Sequence, residues 1–179
     1  MTDLFTVGHS TRPIDEFLAL LTGHRIARLV DVRTVPRSRH NPQFGSDLLP
    51  PALDRAGIAY THLPALGGLR HTRTDSPNTA WKNASFRGYA DYMLPPDFDR
   101  ALDDLIAMVA RERVAIMCAE AVPWRCHRSL IADALTARGI PVTHILSAGR
   151  TQPHTMTSFA HVEGTQVTYP GTQATLDLG

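Results

Sequence analysis

Short apolar, β-prone runs alternate with helical periodicity along this chain, and that alternation points to an α/β layout. Leu4–Val7 is the first run and ends at Gly8. Pro13 then suits a first helical turn, and Ile14, Phe17, Leu18 and Leu21 fall at i, i+3, i+4 and i+7 before Gly23. Ile26–Val32 is the second run, and the short β-α-β connection predicts parallel strands. A helix over Leu48–Ala56, stopped by Gly57, leads to a third strand at Ile58–Leu63. Pro96 opens an amphipathic helix through Leu102, Leu105, Ile106 and Val109, followed by a buried strand at Val114–Cys118. Pro123–Arg138 is expected as the next helix and Pro141–Leu146 as the last core strand. The expectation is an α/β three-layer sandwich with about five mostly parallel strands. It is a single domain over 1–179, with its core at about 4–146 and the rest peripheral.

A chain of 179 residues buries enough surface to fold without disulfides or a structural metal. Net charge is only +1, which argues against a general electrostatic attraction to nucleic acid. Lys82 is the sole lysine, so nearly every cation is an arginine suited to gripping carboxylate or phosphate. The N-terminus reads as a strand rather than a signal peptide, and no apolar stretch approaches the ~20 residues of a membrane span. A cytoplasmic protein with no membrane association is expected, its Cys118 and Cys126 mostly reduced. The segment 64–89 is expected as a long loop covering the sheet edge, Glu163-Gly164 as the turn of a small C-terminal hairpin, and Pro170–Gly179 as loosely held.

Three polar clusters fall just past the predicted strands: Gly8-His9-Ser10, Asp31-Val32-Arg33 and Cys118-Ala119-Glu120. In a parallel sheet all three reach the edge where ligands bind. The richest segment is Cys118–Arg128. Read as a helix from Pro123, it puts Trp124, Arg125 and Cys126 near a helix N-terminus, which favours anions and lowers thiol pKa values. His127, Ile131 and Leu135 then share one face and Cys126, Leu130 and Ala134 another, with Arg128 at the border.

At these residues the chain resembles an uncharacterised family, domain of unknown function 488. The resemblance rests on Gly8-His9-Ser10-Thr11, on Asp31-Val32-Arg33 with Pro36, Ser38 and Phe44, and on Leu66-Gly67-Gly68. Most distinctive are Cys118-Ala-Glu120, Pro123 and Cys126-His127-Arg128, and the likeness runs from about residue 4 to about residue 146. It implies an α/β domain and supplies no activity.

Four chemistries suit the residues. The first is a thiol enzyme on a rhodanese-like layout, since rhodanese-like domains also carry an Asp-Val-Arg after an early strand and a cysteine loop before a late helix. Cys118 or Cys126 would be the nucleophile, with Glu120 and His127 beside them, and His9, Ser10, Asp31, Arg33, Arg125 and Arg128 would hold an anionic or sulfur-containing small molecule. Glu120 and Trp124 depart from the small-residue loop of that layout. A carboxylate ~4 Å from a thiolate costs about 4 kcal/mol at an effective dielectric near 20, which calls for Arg33 or Arg128 to neutralise it. The second pairs Asp31 with Glu120 for acid–base work or a divalent ion, as in hydrolysis of nucleotides or nucleic acid. The third is a zinc site from Cys118, Cys126, His127 and His9, at spacings unlike the usual patterns; a regulatory Cys118–Cys126 disulfide is a separate alternative that needs Cα atoms within about 7 Å. The fourth is a nucleic-acid module built on Arg70, His71, Arg73, Trp81, Lys82, Phe86 and Arg87, for which a packed lid is the favoured alternative.

Overall fold

The structure, a computed structural model, describes residues 3–171. Eight strands and five helices follow one another as β1 (Leu4–Gly8), α1 (Ile14–Gly23), β2 (Arg28–Asp31), α2 (Leu49–Arg55), β3 (Ala59–His62), α3 (Ala84–Tyr92), α4 (Pro96–Val109), β4 (Val114–Cys118), α5 (Arg128–Ala137), β5 (Val142–Ser147), β6 (Arg150–Pro153), β7 (His161–Glu163) and β8 (Gln166–Thr168). The main sheet has the order β3-β2-β4-β1-β5-β6. All its pairings are parallel except the edge pair β5–β6, which extends the expected sheet to six strands. β7 and β8 form the anticipated separate hairpin, turning at Gly164 with φ +62°. The expectation for the tail beyond residue 171 lies outside the described residues.

Alternation along the strands sends side chains to two different cores. Phe5 and Val7 of β1, with Ala115 and Met117 of β4, pack against Phe17, Leu20 and Leu21 of α1 and against α2. Leu4, Ile116 and Cys118 face α3, α4 and α5. Helix α4 buries Phe98, Ala101, Leu102, Leu105 and Val109 at helical spacing, each large side chain contributing about 1.5–3 kcal/mol. Pro96 in its first turn, with Asp97 and Asp99, suits the positive end of the helix.

This layering fixes where the sheet edge opens. Chain leaving β1 runs to α1 on one face, whereas chain leaving β4 runs to α5 on the other. β1 and β4 are neighbours in register, Gly8 opposite Cys118. The crevice between their carboxyl ends is therefore the topological switch point of the sheet. Two backbone bonds seal its floor, His9 N–H to the Cys118 carbonyl (2.9 Å) and Ser10 N–H to the Ala119 carbonyl (3.0 Å). Gly8 is required there because a Cβ would lie 1.8 Å from the Glu120 carbonyl oxygen and 2.7 Å from the Arg128 guanidinium.

Two local expectations are corrected. Pro123–Arg125 is a separate tight turn, Cys126 is extended (φ −134°, ψ 148°), and α5 begins only at Arg128. The covering segment is also less irregular than expected. Asn83 accepts hydrogen bonds from the Ser85 and Phe86 amides, an N-cap that starts α3 at Ala84.

Candidate functional site

The break before α5 redirects Cys126. Its sulfur points at Cys118 instead of following a helix face, and Cys126 Sγ donates to Cys118 Sγ at 2.7 Å. Both cysteines are free and almost fully buried. Arg128, expected at a helix border, is 0% exposed. Its guanidinium donates from Nη1 to Cys118 Sγ (3.1 Å) and to the Glu120 carbonyl (2.7 Å), and from Nη2 to the Ala121 carbonyl (2.9 Å). Its Nε has no partner, and no carboxylate pairs with it among the described residues. A buried cation needs a counterion, and among the described residues Cys118 is the only ionisable side chain to which it hydrogen-bonds.

The two thiols are electrically unequal. Burial pushes the Cys118 pKa up, but the Cys126 hydrogen bond, the Arg128 charge and the backbone at Glu120 outweigh it and bring the value down to about 7. Cys126 moves well above its ordinary range, because it gives its hydrogen to Cys118, is buried, and sits beside the Cys118 charge. The pair releases its first proton as a unit.

His127 Nδ1 stands 3.5 Å from Cys126 Sγ, and its Nε2–H donates to the Val32 carbonyl (3.0 Å). That bond fixes the tautomer and leaves Nδ1 as an acceptor facing the thiol. Burial first, then the Arg128 charge, hold its pKa down to about 4. The Tyr89 ring packs against it at 4.9 Å, and Gly68 leaves room for its ring.

Arg33 and Asp31 lie two residues apart, on the same side as β2 ends, and pair through two side-chain bonds of 2.9 and 2.7 Å. Asp31 also accepts from the Arg33 amide and from Tyr60 Oη (2.6 Å), which burial and this carboxylate hold well above the ordinary tyrosine pKa. Asp31 thus braces Arg33 and Tyr60. His9 is likewise internal. It stacks on Phe44, donates from Nδ1 to the Ser10 carbonyl and turns Nε2 toward Arg33 Nη1 at 3.5 Å. Burial holds its pKa low. Ser10, at φ 51°, shapes the turn and does not line the cleft.

Cys118, Glu120, Arg125, Cys126, His127 and Arg33 all line one cleft of about 490 Å³ between the chain leaving β2 and the chain leaving β4, neighbouring strands of the sheet. Arg37, Thr34, Asn83, Ser85 and Phe86 complete its walls, with Val35 and the exposed Leu69. The loop after β2 and the start of α3 supply these walls. Asn83 followed by Phe86, Tyr89, Ala90 and Met93 at helical spacing is the signal that could have found that second wall. Tyr60, which steadies Asp31, carried no comparable signal.

Several expected groupings do not form. Glu120 is exposed, and its carboxylate accepts only the Val122 amide (3.3 Å); its carbonyl, not its carboxylate, meets Arg128. Asp31 and Glu120 are therefore no acid–base pair. His9 faces Arg33 rather than the sulfurs, and among the described residues no three His, Cys, Asp or Glu side chains converge as a metal's ligand set. The basic and aromatic residues of 70–87 are largely engaged within the chain. Arg70 covers the Tyr92 ring and donates to the Gly67, Pro64 and Ala65 carbonyls. Arg87 donates to the Trp81 carbonyl, Arg73 pairs with Asp75, and Trp81 packs against Phe86, Phe159 and Tyr169. Among the described residues no helix is long and apolar enough to cross a membrane.

No curated protein and no solved structure matches the chain. The family model described as "Domain of unknown function DUF488" matches residues 13–135, from the start of α1 into α5 and across the Cys118–Arg128 segment. The chain belongs to the DUF488 family.

Proposed function

We propose that the protein is a thiol-dependent enzyme acting on an anionic, sulfur-containing small molecule, with Cys118 as its nucleophile. One observation carries this reading: the guanidinium of Arg128, sealed in the interior, has Cys118 Sγ as its only ionisable hydrogen-bond partner among the described residues. A thiolate is the attacking form of cysteine, and an adjacent buried cation is how a protein holds one near neutral pH. Arg37 and Arg125 supply the cleft with positive charge for an anion, while Val35, Leu69 and Phe86 supply apolar surface for its body. His127 Nδ1 stands 3.5 Å from Cys126 Sγ as a neutral hydrogen-bond acceptor beside the pair. Glu120 stands at the mouth, where water screens its charge. A reducing, cytoplasmic setting keeps both thiols available.

Alkylation of the single variants C118S and C126S tests the assignment. Iodoacetamide should label C126S at Cys118 far faster at neutral pH than it labels free cysteine or C118S. Negatively charged iodoacetate should gain on iodoacetamide relative to their ratio with free cysteine, and lose that gain as salt is raised. Two thiols that both titrate at about 8.5 or above, with no rate gain over free cysteine, would refute the reading.

A further inference from the structure

Resting on the reading of Cys118 as nucleophile, we infer that Cys118 and Cys126 form a nucleophile-and-resolving-thiol pair that reduces anionic low-molecular-weight disulfides. The two sulfurs face each other at 2.7 Å, close enough that a small shift joins them at the disulfide length near 2.05 Å. The two sulfurs differ in what they touch: Cys118 has the charge of Arg128, and Cys126 has the bare nitrogen of His127. They differ in mounting as well. Cys118 ends a central strand held on both sides, whereas Cys126 stands on an extended residue between two turns of helix-like chain. The first is fixed and the second has the shorter path to move.

A second thiol this close decides the outcome of the chemistry. Any disulfide bond made to Cys118 meets Cys126 at an effective concentration of order 10⁵ M or more for a well-aligned neighbour, which no acceptor from solution can match. In the first step Cys118 thiolate attacks R–S–S–R′, the Cys118–S–R bond forms and R′S⁻ leaves. In the second, Cys126 gives its proton to the departing R′S⁻, which leaves as R′SH, and attacks the Cys118 sulfur, displacing RS⁻. The substrate disulfide gains two electrons, the cysteine pair loses two, and a small dithiol restores the pair for the next cycle. The arginines at the cleft walls select substrates that carry carboxylates.

The test treats the reduced full-length protein with oxidised glutathione, an anionic disulfide, or with cystamine, a cationic one, and reads intact mass after acid quenching. The wild type should lose two hydrogens with no retained adduct. C126S should accumulate one glutathione at Cys118, C118S none on the same timescale. Oxidised glutathione should outpace cystamine by about tenfold at low salt, after each rate is divided by that with free cysteine. A wild type that keeps glutathione on Cys118 as fully as C126S would overturn the resolving role while leaving Cys118 a nucleophile. An inert Cys118 in every form would overturn both readings, and cystamine reacting faster would overturn the anionic class. Should C126S not fold, the wild-type mass alone separates an internal disulfide from a retained adduct.

Discussion

Replacing Arg128 with methionine removes the only counterion of Cys118 while keeping most of the side chain's length. At an effective dielectric near 20, a guanidinium nitrogen 3.1 Å from a thiolate contributes about 5 kcal/mol of attraction, or just under four pKa units. Even if water entering the vacated space screens half of that, the Cys118 midpoint rises by about two units, from about 7 to the range of an unperturbed thiol or beyond. The assay is the pH dependence of iodoacetamide labelling at Cys118, with thiolate absorbance as a second readout. Arg128→Lys keeps the charge and should hold the midpoint below that of Arg128→Met, which separates electrostatics from packing. Stability falls as well, because the Glu120 and Ala121 carbonyls lose their donor, at about 1–3 kcal/mol for each one left unsatisfied. A folded Arg128→Met protein that still labels with a midpoint near 7 would show that the cation does not set the thiol's ionisation.

Gly8→Ala should cost about 3 kcal/mol or more in urea unfolding, since its Cβ collides with the Glu120 backbone where no side chain can yield. His127 and His144, whose pKa values burial lowers to about 4 and about 3, remain neutral in the folded protein at pH values where the unfolded chain protonates them. Their contribution is intact above about 6.5 and is lost as pH falls toward those folded values, at about 1.4 kcal/mol per pH unit for each histidine. Urea unfolding across that window should show the decline, and His127→Phe should make it shallower. A flat profile would place both rings in contact with water.

Where local rules dominate, the sequence was legible. Val114–Cys118 and Pro96–Val109 fall on the observed spans because apolar periodicity and a proline at the helix start fix them without help from distant residues. Parallel topology alone brings the three polar clusters to one sheet edge, with Gly8 opposite Cys118, yet only Arg33, Cys118, Ala119 and Glu120 among them line the cleft. The Asp31–Arg33 brace was readable too, since residues two apart on a strand share a side. What escaped was settled by long-range partners. Helical spacing runs unbroken through Cys126 and His127, yet the chain extends at Cys126. Arg128 was placed at a border because the carbonyls that receive it, Glu120 and Ala121, belong to a loop whose path no local pattern encodes. β6 escaped for a similar reason: all four of its residues are exposed, so it has no apolar signature.

The solitary cation at the heart of the molecule also governs what can be left on the sulfur. A neutral group capping Cys118 erases the negative half of an ion pair and strands Arg128, with a partnerless Nε already, in a medium that cannot solvate it. Each such adduct begins life in debt, and its release restores electrical balance. A cap that brings its own carboxylate toward Arg128 escapes part of that penalty. The interior thus acts as a charge ledger on the cysteine, shortening the life of reversible neutral adducts and tolerating acidic visitors, through a residue that never meets the solvent.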